Sequence, residues 1–276
     1  KNTKLIHFIG KDNIVFHSVI FPIILKAHGG YILPENVPAN EFLNLEGNKI
    51  STSKNWAIWL HEYLEDFPNM QDSLRYALTV NAPESKDNDF TWKDFQLRNN
   101  SELVAIFGNF VNRTLVLTHK YYDGIVPTQV DEKSKHYGIL KEVYKYPESI
   151  SKSLDNFKFR ESVNTLIDLA RLGNKLLADS EPWKLIKIED QKRKVEEIMF
   201  ISIQICGMLA ILSEPFVPFA SEKLKSILNL KAKKWTELNI SSNIINSKEL
   251  INKPELIFRK IEDEEIKREL NKLNNT

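Results

Sequence analysis

The chain has 276 residues, of which 42% are apolar and 27% are charged, a balance that excludes a disordered protein. Its 38 basic and 37 acidic residues leave a net charge of +1, which excludes a broadly basic polyanion binder, so contact with nucleic acid would need local recognition. The single cysteine, Cys206, excludes a disulfide framework and favours a reducing, cytoplasmic location. The longest apolar run, residues 198–212, is expected to be a core helix, because it looks too short and interrupted to cross a bilayer.

The first 48 residues show a strand, helix, strand pattern. The segment KLIHFIG (4–10) predicts a buried strand, and NIVFHSVIFPIILKAHGG (13–30) predicts a helix ended by two glycines. The segment 31–47 predicts short strands broken by Pro34 and Pro38. This order is typical of an open parallel sheet whose functional loops follow the strands.

After residue 101 the pattern is helical almost throughout. Helices are predicted at about 101–122, 131–154, 158–178, 189–213 and 215–229, with a charged amphipathic helix beginning near Pro254. The fold class is therefore mainly α: part of an α/β domain, a connector and an α-helical bundle. We place the boundaries at 1–48, 49–99, 100–235 and a C-terminal extension, 236–276.

Two polar loops can carry chemistry. In FIGKD (8–12), Gly10 permits close backbone approach, Lys11 is cationic and Asp12 can accept hydrogen bonds from ribose hydroxyls. The alternative is plain helix initiation, with Asp12 as the N-cap. In GNKISTSK (47–54), Lys49 and Lys54 flank three hydroxyls on a loop that could close over a triphosphate. The alternative there is a solvated turn.

Several segments, in the correct order, resemble the methionyl-tRNA synthetase family of class I aminoacyl-tRNA synthetases. KISTS stands where that class carries its Lys-Met-Ser-Lys-Ser signature, and HFIGKDNIVFHSVIFP is similar to the strand and helix beside the substrate pockets. DSLRYALT (72–79), GNFVNR (108–113) and DSEPW (179–183) resemble later segments of the family. The resemblance covers residues 5 to about 235 and, more loosely, to 270. It implies that residues 1–48 are the C-terminal part of a Rossmann-like catalytic domain and that residues 100–235 bind the anticodon.

Two departures from the family pattern matter. Thr52 replaces the second lysine of the signature, so Lys49 and the displaced Lys54 are the local candidates to neutralise phosphate charge. The His-x-Gly-His motif and the zinc-binding insertion are absent, and the sequence begins at Lys1 rather than at methionine. We therefore expect the back half of a synthetase, inactive by itself, with no metal site in this stretch and zinc only in the missing part.

The resemblance implies methionine–tRNA ligase chemistry, in which ATP, with Mg²⁺, activates methionine to methionyl-adenylate for transfer to tRNA. ATP contacts would come from Gly10, Lys11, Asp12 and Lys49, and catalysis would depend on Lys49, Ser51, Ser53 and Lys54. Phe16, His17 and Phe21 would line the methionine pocket, where the alternative for the two phenylalanines is simple core packing.

The helical part carries a candidate anticodon site. Asn109 and Arg113 are four residues apart and share a helix face, and Trp183 follows a proline at a helix break, where it could stay exposed. The resemblance assigns this trio to the CAU anticodon of tRNA(Met), since unstacked bases are read by aromatic stacking and hydrogen bonds. The alternative is a solvated arginine and a core tryptophan. We expect neither a membrane nor DNA as a partner.

Two rival interpretations remain open. One is a sister synthetase for leucine, isoleucine or valine, which shares the signature loop and a helical anticodon domain. The other is a stand-alone helical tRNA-binding module, which would be expected to carry scrambled nucleotide motifs. The segment NIVFHSVIFP and the Asn109, Arg113 and Trp183 trio favour methionine.

Overall fold

The computed structural model describes residues 3–231 and 233–274. Its first part is an α/β unit, residues 5–40, with these elements in order: β1 (Leu5–Ile6), β2 (Ile9–Gly10), a 3-10 turn (Lys11–Asn13), a π-helical stretch (Phe16–Ile20), α1 (Phe21–His28), β3 (Pro34–Asn36) and β4 (Ala39–Asn40). Strand β1 pairs in parallel with β3, and β2 pairs in parallel with β4. The predicted strand, helix, strand order is thus confirmed, but the first strand is two short pieces that are only half-buried.

The second part contains a three-stranded sheet and three helices: β5 (Leu43–Leu45), β6 (Asn48–Lys49), α2 (Leu60–Asp66), α3 (Gln71–Val80), β7 (Asn88–Phe90) and α4 (Trp92–Arg98). Strand β5 lies in the middle, antiparallel to β6 and parallel to β7. The β5–β6 hairpin turns through Glu46 and Gly47, whose φ angles of 47° and 76° are both left-handed. Glycine suits the second of these positions because it has no Cβ to clash there.

The third part is helical. A π-helical stretch (Asn99–Gly108) continues into α5 (Asn109–Tyr122), and then follow α6 (Tyr137–Val143), α7 (Tyr146–Asp155), α8 (Phe159–Ser180), α9 (Pro182–Leu185), α10 (Lys192–Leu212), α11 (Pro218–Ile227) and α12 (Asp263–Asn274). The helix predicted over 131–154 is wrong in extent. It is split into α6 and α7, because Pro147 lies in the first turn of α7 and cannot continue a preceding helix.

Helix α10 forms the centre of the main core. All residues from 198 to 212 are buried in it. The expectation that this run is too short for a bilayer is wrong, since the helix over Glu189–Leu212 is long and apolar enough by length and composition alone. However, 89% of its most apolar window is buried inside the protein, as predicted for a core helix.

A second, smaller core joins distant parts of the chain. Tyr63, Phe67, Trp92 and Phe95 pack with Ile266 of α12. Residues 251–262, before α12, form no helix, which corrects the helix predicted to begin near Pro254. Two asparagines of the π-helical stretch hold this segment through its backbone: Asn99 Nδ2 donates to Arg259 O at 2.9 Å, and Asn100 Nδ2 donates to Ile261 O at 2.8 Å. Such side-chain bonds to the backbone compete with helix formation.

Candidate functional site

The Gly-Lys-Asp turn and the KISTSK loop meet at one aromatic ring. Lys11 Nζ lies 4.4 Å from the centroid of the Phe42 ring, and Lys49 Nζ lies 5.9 Å from the same centroid. Strand pairing produces this meeting: β2, which leads into Lys11, lies beside β4, and Phe42 follows β4 by two residues. The structure therefore brings together two of the predicted nucleotide-contacting lysines, although 38 positions separate them in the sequence.

Lys11 is fully engaged by carboxylates. Its Nζ donates to Glu41 Oε2 and to Asp87 Oδ1, both at 2.6 Å. The hydrogen bonds to Asp87 and Glu41 raise the pKa of Lys11, and the bond from Lys11 lowers the pKa of Asp87. Lys11 and Asp87 are therefore both charged at neutral pH and form an ion pair, and the Glu41 carboxylate lies equally close to the ammonium group.

Gly10 and Asp12 occupy one tight turn. A Cβ added at Gly10 would come within 2.7 Å of Asp12 Oδ1, so only glycine allows this placement of the carboxylate. Gly10, not Asp12, stands at the N-cap of the 3-10 turn, and no side chain caps that turn. The alternative in which Asp12 caps the helix is therefore wrong.

The KISTSK loop is a closed, ordered turn. Ser51 and Trp56 exchange two backbone hydrogen bonds of 2.9 Å each, and Thr52–Lys54 form a 3-10 turn between them. Ser51 Oγ lies 3.2 Å from Ser53 Oγ, and Trp56 Nε1 donates to Leu45 O at 2.9 Å, which anchors the loop to β5. The hydroxyls of Ser51 and Ser53 therefore lie beside each other in this turn.

A cleft of about 750 Å³ opens beside this loop. Its lining comes from the loop and from the end of α12: Asn48, Lys49, Ile50, Ser51, Lys54, Trp56, Leu273 and Asn274. In the part of the chain that the structure describes, neither Lys49 nor Lys54 forms an ion pair, in contrast to Lys11. Two uncompensated ammonium groups and a serine hydroxyl in one cleft are suited to a polyanionic ligand.

Four aromatic rings cluster at the start of the first helix. His17 lies 5.2 Å from Phe16 and 5.4 Å from His7, and Phe21 lies 6.1 Å from Phe16 and 5.7 Å from His7, between ring centroids. The structure thus brings the three predicted methionine-pocket residues together. Sequence reasoning missed His7 as the fourth ring. Within this chain Phe16 is 46% exposed.

The predicted anticodon residues lie where α5, α8 and α9 meet. Arg113 Cζ lies 5.0 Å from the centre of the Trp183 ring, a cation–π contact, and Trp183 is half-buried against the main core. Asn109 Nδ2 donates to Asn174 Oδ1 at 3.2 Å, and Asn174 Nδ2 in turn donates to Ile106 O at 2.8 Å. Sequence reasoning missed Asn174, because it lies on α8, 65 residues from its partner.

The DSLRY segment (72–76) lies within α3 and contacts the helical bundle. Asp72 accepts hydrogen bonds from the backbone N–H groups of Ala220, at 2.7 Å, and Phe219, at 3.4 Å, in the first turn of α11. Arg75 Nη2 donates to Pro215 O at 2.9 Å. Burial raises the pKa of Asp72, although these hydrogen bonds oppose the rise. This segment therefore docks α3 onto the bundle through a helix N-terminus.

Comparison with known sequence families identifies the chain. The family described as "Anticodon binding domain of methionyl tRNA ligase" matches residues 126–275, more than half of the chain, and "tRNA synthetases class I (M)" matches residues 1–115. The chain belongs to the methionyl-tRNA synthetase family. Methionine–tRNA ligases of Flavobacterium psychrophilum and Phocaeicola vulgatus are each 58% identical to it, over 100% and 98% of the chain. The chain spans 40% and 39% of the length of these relatives.

Solved structures give the same fold. The Mycobacterium tuberculosis methionyl-tRNA synthetase in complex with methionyl-adenylate superposes with a TM-score of 0.82 at 22% identity, covering 92% of this chain and 50% of that one. Its apo form gives a TM-score of 0.81 at 21% identity, covering 94% and 50%. This likeness confirms a class I synthetase fold with a Rossmann-like portion and a helical anticodon domain. The four predicted domain boundaries stay predictions.

Proposed function

We propose that the chain is part of a methionine–tRNA ligase and supplies its phosphate-side loop and its anticodon-reading surface. The whole enzyme would activate methionine with ATP to methionyl-adenylate and transfer the methionyl group to tRNA(Met). The observation that carries the proposal is the cleft beside the KISTSK loop, where Lys49 and Lys54 have no carboxylate partner among the residues that the structure describes. The methionine–tRNA ligases that match the chain along its whole length support the choice of methionine.

The proposed chemistry needs no protein nucleophile. The carboxylate of methionine attacks the α-phosphate of ATP, pyrophosphate leaves, and negative charge shifts onto the departing phosphates. Lys49 and Lys54 would neutralise that charge, and the hydroxyls of Ser51 and Ser53 would donate hydrogen bonds to phosphate oxygens. Thr52 carries no charge. The positive charge that the second lysine of the family signature provides would therefore come from Lys49 and Lys54.

The described part of the chain offers no cluster of side chains that could hold a metal ion by itself. Among residues 3–231 and 233–274, no group of three or more histidine, cysteine, aspartate or glutamate side chains is placed to hold a metal. Magnesium in ATP-dependent enzymes is commonly bound through one or two carboxylates together with substrate phosphates. Any Mg²⁺ would therefore accompany the triphosphate.

The aromatic cluster suits the methionine side chain. A thioether is neutral and a weak hydrogen-bond acceptor, so it is recognised by shape and by sulfur–ring contacts. Phe16 and Phe21 lie nearly parallel, at 18° between ring planes, and His7 and His17 complete the cluster. We assign the methionine pocket to this cluster.

The surface around Trp183 suits unstacked bases. The Arg113 guanidinium covers the tryptophan ring, which would let a base of the CAU anticodon stack on the remaining ring surface. The Asn109 amide, held by Asn174, would then present hydrogen-bonding groups to a base edge. Because the net charge of the chain is only +1, selectivity would come from these base contacts and not from general phosphate attraction.

The decisive test is methionine-dependent pyrophosphate exchange by the ligase that contains this chain. Lys49→Ala and Lys54→Ala should each lower the rate of adenylate formation by about 10-fold or more, the size of a real charge contact in a transition state. Lys26→Ala, which removes an exposed lysine on α1, is the matched control and should leave the rate unchanged.

Two further arms complete the test. Adding a lysine at the signature position, by Thr52→Lys, should rescue Lys54→Ala if the displaced lysine does the same work. Exchange with leucine, isoleucine or valine but not with methionine would replace the proposal by a sister synthetase. Binding of tRNA without exchange for any amino acid would favour the stand-alone tRNA-binding module.

A further inference from the structure

The surroundings of Lys11 do not fit a phosphate ligand. Its ammonium lies 2.6 Å from each of two carboxylates, and those carboxylates come from separate segments of the chain, at Glu41 and Asp87. A lysine with two anionic partners has little attraction left for a third anion. The same geometry is well suited to a tether, because it ties the Gly-Lys-Asp turn to the end of β4 and to the start of β7.

Strand β7 provides a second anchor beside the first. Asp87 directly precedes the strand and Asp89 lies within it, so the two side chains are two residues apart and share one face. Besides pairing with Lys11, Asp87 Oδ1 accepts a hydrogen bond from Phe42 N at 2.9 Å. Both oxygens of Asp89 accept from Gly47 N, at 3.0 and 2.9 Å.

Gly47 is the hinge residue of the loop. It has a left-handed φ of 76° in the β5–β6 turn, and Lys49 follows it by two residues in β6. A carboxylate on the turn N–H is a charge-assisted hydrogen bond, the stronger kind. Asp89 therefore fixes the base of the loop that carries Lys49.

We propose that Asp87 and Asp89 are positioning residues, through which β7 holds the Gly-Lys-Asp turn and the base of the KISTSK loop together across the Phe42 ring. Lys11 is then a tether and not a phosphate ligand, and the phosphate-facing charge belongs to Lys49 and Lys54. This inference rests on the proposed function, because it requires that the KISTSK loop acts on ATP.

A double-mutant cycle in the ligase that contains this chain tests the tether. Lys11→Ala and Asp87→Ala should each lower kcat of methionine-dependent pyrophosphate exchange about tenfold. The double variant should be no less active than the less active single variant, because both substitutions remove the same Lys11–Asp87 contact. The KM for ATP should change by less than about twofold, since no ATP contact is lost. Lys11→Arg should keep most of the activity, because a guanidinium can pair with both carboxylates.

A conservative substitution tests the hydrogen bond that Asp89 accepts from Gly47 N. Asp89→Ala should lower kcat, whereas Asp89→Asn should retain most of it, because an amide oxygen can still accept from Gly47 N. Glu35→Gln, which breaks the exposed Lys4–Glu35 pair of the same α/β unit, is the control and should leave kcat unchanged. If the alanine variants do not fold, the Lys11→Arg and Asp89→Asn variants decide, and a tenfold loss in both would overturn the proposal.

A different pattern would assign Lys11 to ATP directly. In that case Lys11→Ala would raise the KM for ATP, and Asp87→Ala would lower it by releasing the lysine. Either change in KM would overturn the tether while leaving the proposed function intact. A wild-type ligase that shows no methionine-dependent exchange would instead overturn the proposed function, and the tether with it.

Discussion

Helices α1 and α10 are both strongly apolar, yet their environments are opposite. Every residue of α10 from 198 to 212 is buried, and the helix packs against α5, α8 and α11. No residue of α1 is buried, and Ile23 and Ile24 are 62% and 54% exposed. The local sequence specifies a helix in both places, but only α10 receives its packing partners from the described residues. Apolar periodicity predicts the element, and the neighbours decide whether the element contributes core energy.

The difference in burial between α10 and α1 predicts a large difference in the effect of truncating a side chain in each helix. Leu209→Ala should lower the free energy of unfolding of this chain by about 2–5 kcal/mol, because it leaves a cavity in a fully buried site. Ile24→Ala should change it by less than about 0.5 kcal/mol, because little buried area is lost. Urea unfolding of both variants provides the measurement. Equal losses would show that α1 is packed as tightly as α10.

The second prediction extends the comparison to the smaller core. Ile266 on α12 is 6% exposed and packs with Phe95 and other aromatic residues of that core. Ile266→Ala should cost about 2 kcal/mol, at the lower end for such truncations. Hydrogen exchange should show lost protection in α4, which contacts α12, and unchanged protection in α10. Loss of protection in α10 as well would mean that the two cores unfold as one unit.

The packing of α12 against the smaller core also predicts how a truncated chain would behave. A piece beginning at residue 100 would keep α12 but lose Tyr63, Phe67, Trp92 and Phe95, against which that helix packs. We expect such a piece to melt cooperatively through its main core, followed by circular dichroism, while α12 frays. A non-cooperative melt would show that the bundle depends on the segments before it.

The third prediction separates binding from folding on the bundle surface. Trp183→Ala should weaken binding of tRNA(Met) by about 1–3 kcal/mol, because it removes a stacking surface. Arg113→Ala should cost a similar amount if its guanidinium reaches a base edge. Both losses should vanish for a tRNA with a changed anticodon, since those contacts are already absent. Equal losses on both tRNAs would mean that the residues support the fold or touch only the RNA backbone.

Sequence reasoning succeeded where the signal was local. The helix predicted at 158–178 is Phe159–Ser180, and Gly29, with a φ of 78°, ends the first helix as expected. It failed where packing between distant segments decides the conformation. Pro254 looks like a helix start, but the helix begins only at Asp263, and Asn99 and Asn100 bind backbone carbonyls of the segment before it.

The candidate site shows the same division. Residue types and family resemblance predicted Lys11 and Lys49 as ATP contacts and Phe16, His17 and Phe21 as a methionine pocket. The structure places the members of each set close together, and their roles stay predictions. The sequence could not predict that Lys11 and Lys49 both lie near the Phe42 ring, because that contact depends on which strands pair. One signal was overlooked: the alternating acids of DND (87–89) predict two carboxylates on one face of a strand.

Glu197 is the last charged residue of α10 and directly precedes the fully buried run 198–212. It accepts hydrogen bonds from Ser134 Oγ at 2.6 Å and from His136 Nδ1 at 2.9 Å, and Arg193 Nε lies 3.7 Å away. Burial raises the pKa of Glu197, but the hydrogen bonds from His136 and Ser134 outweigh it and hold the pKa below its usual range.

The lowered pKa of Glu197 predicts the smallest of these effects on stability. A carboxyl whose pKa is lowered by folding stabilises the protein above its unfolded pKa, about 4.3, and this contribution is lost as the pH falls through the folded value. Glu197→Gln should therefore lower the free energy of unfolding by about 1 kcal/mol at pH 5, and the difference from wild type should shrink toward pH 3. Glu222→Gln, at an exposed position on α11, is the control and should show no such pH dependence. A difference that stays constant between pH 5 and pH 3 would show that packing, and not the charge of Glu197, is what the bundle needs at this position.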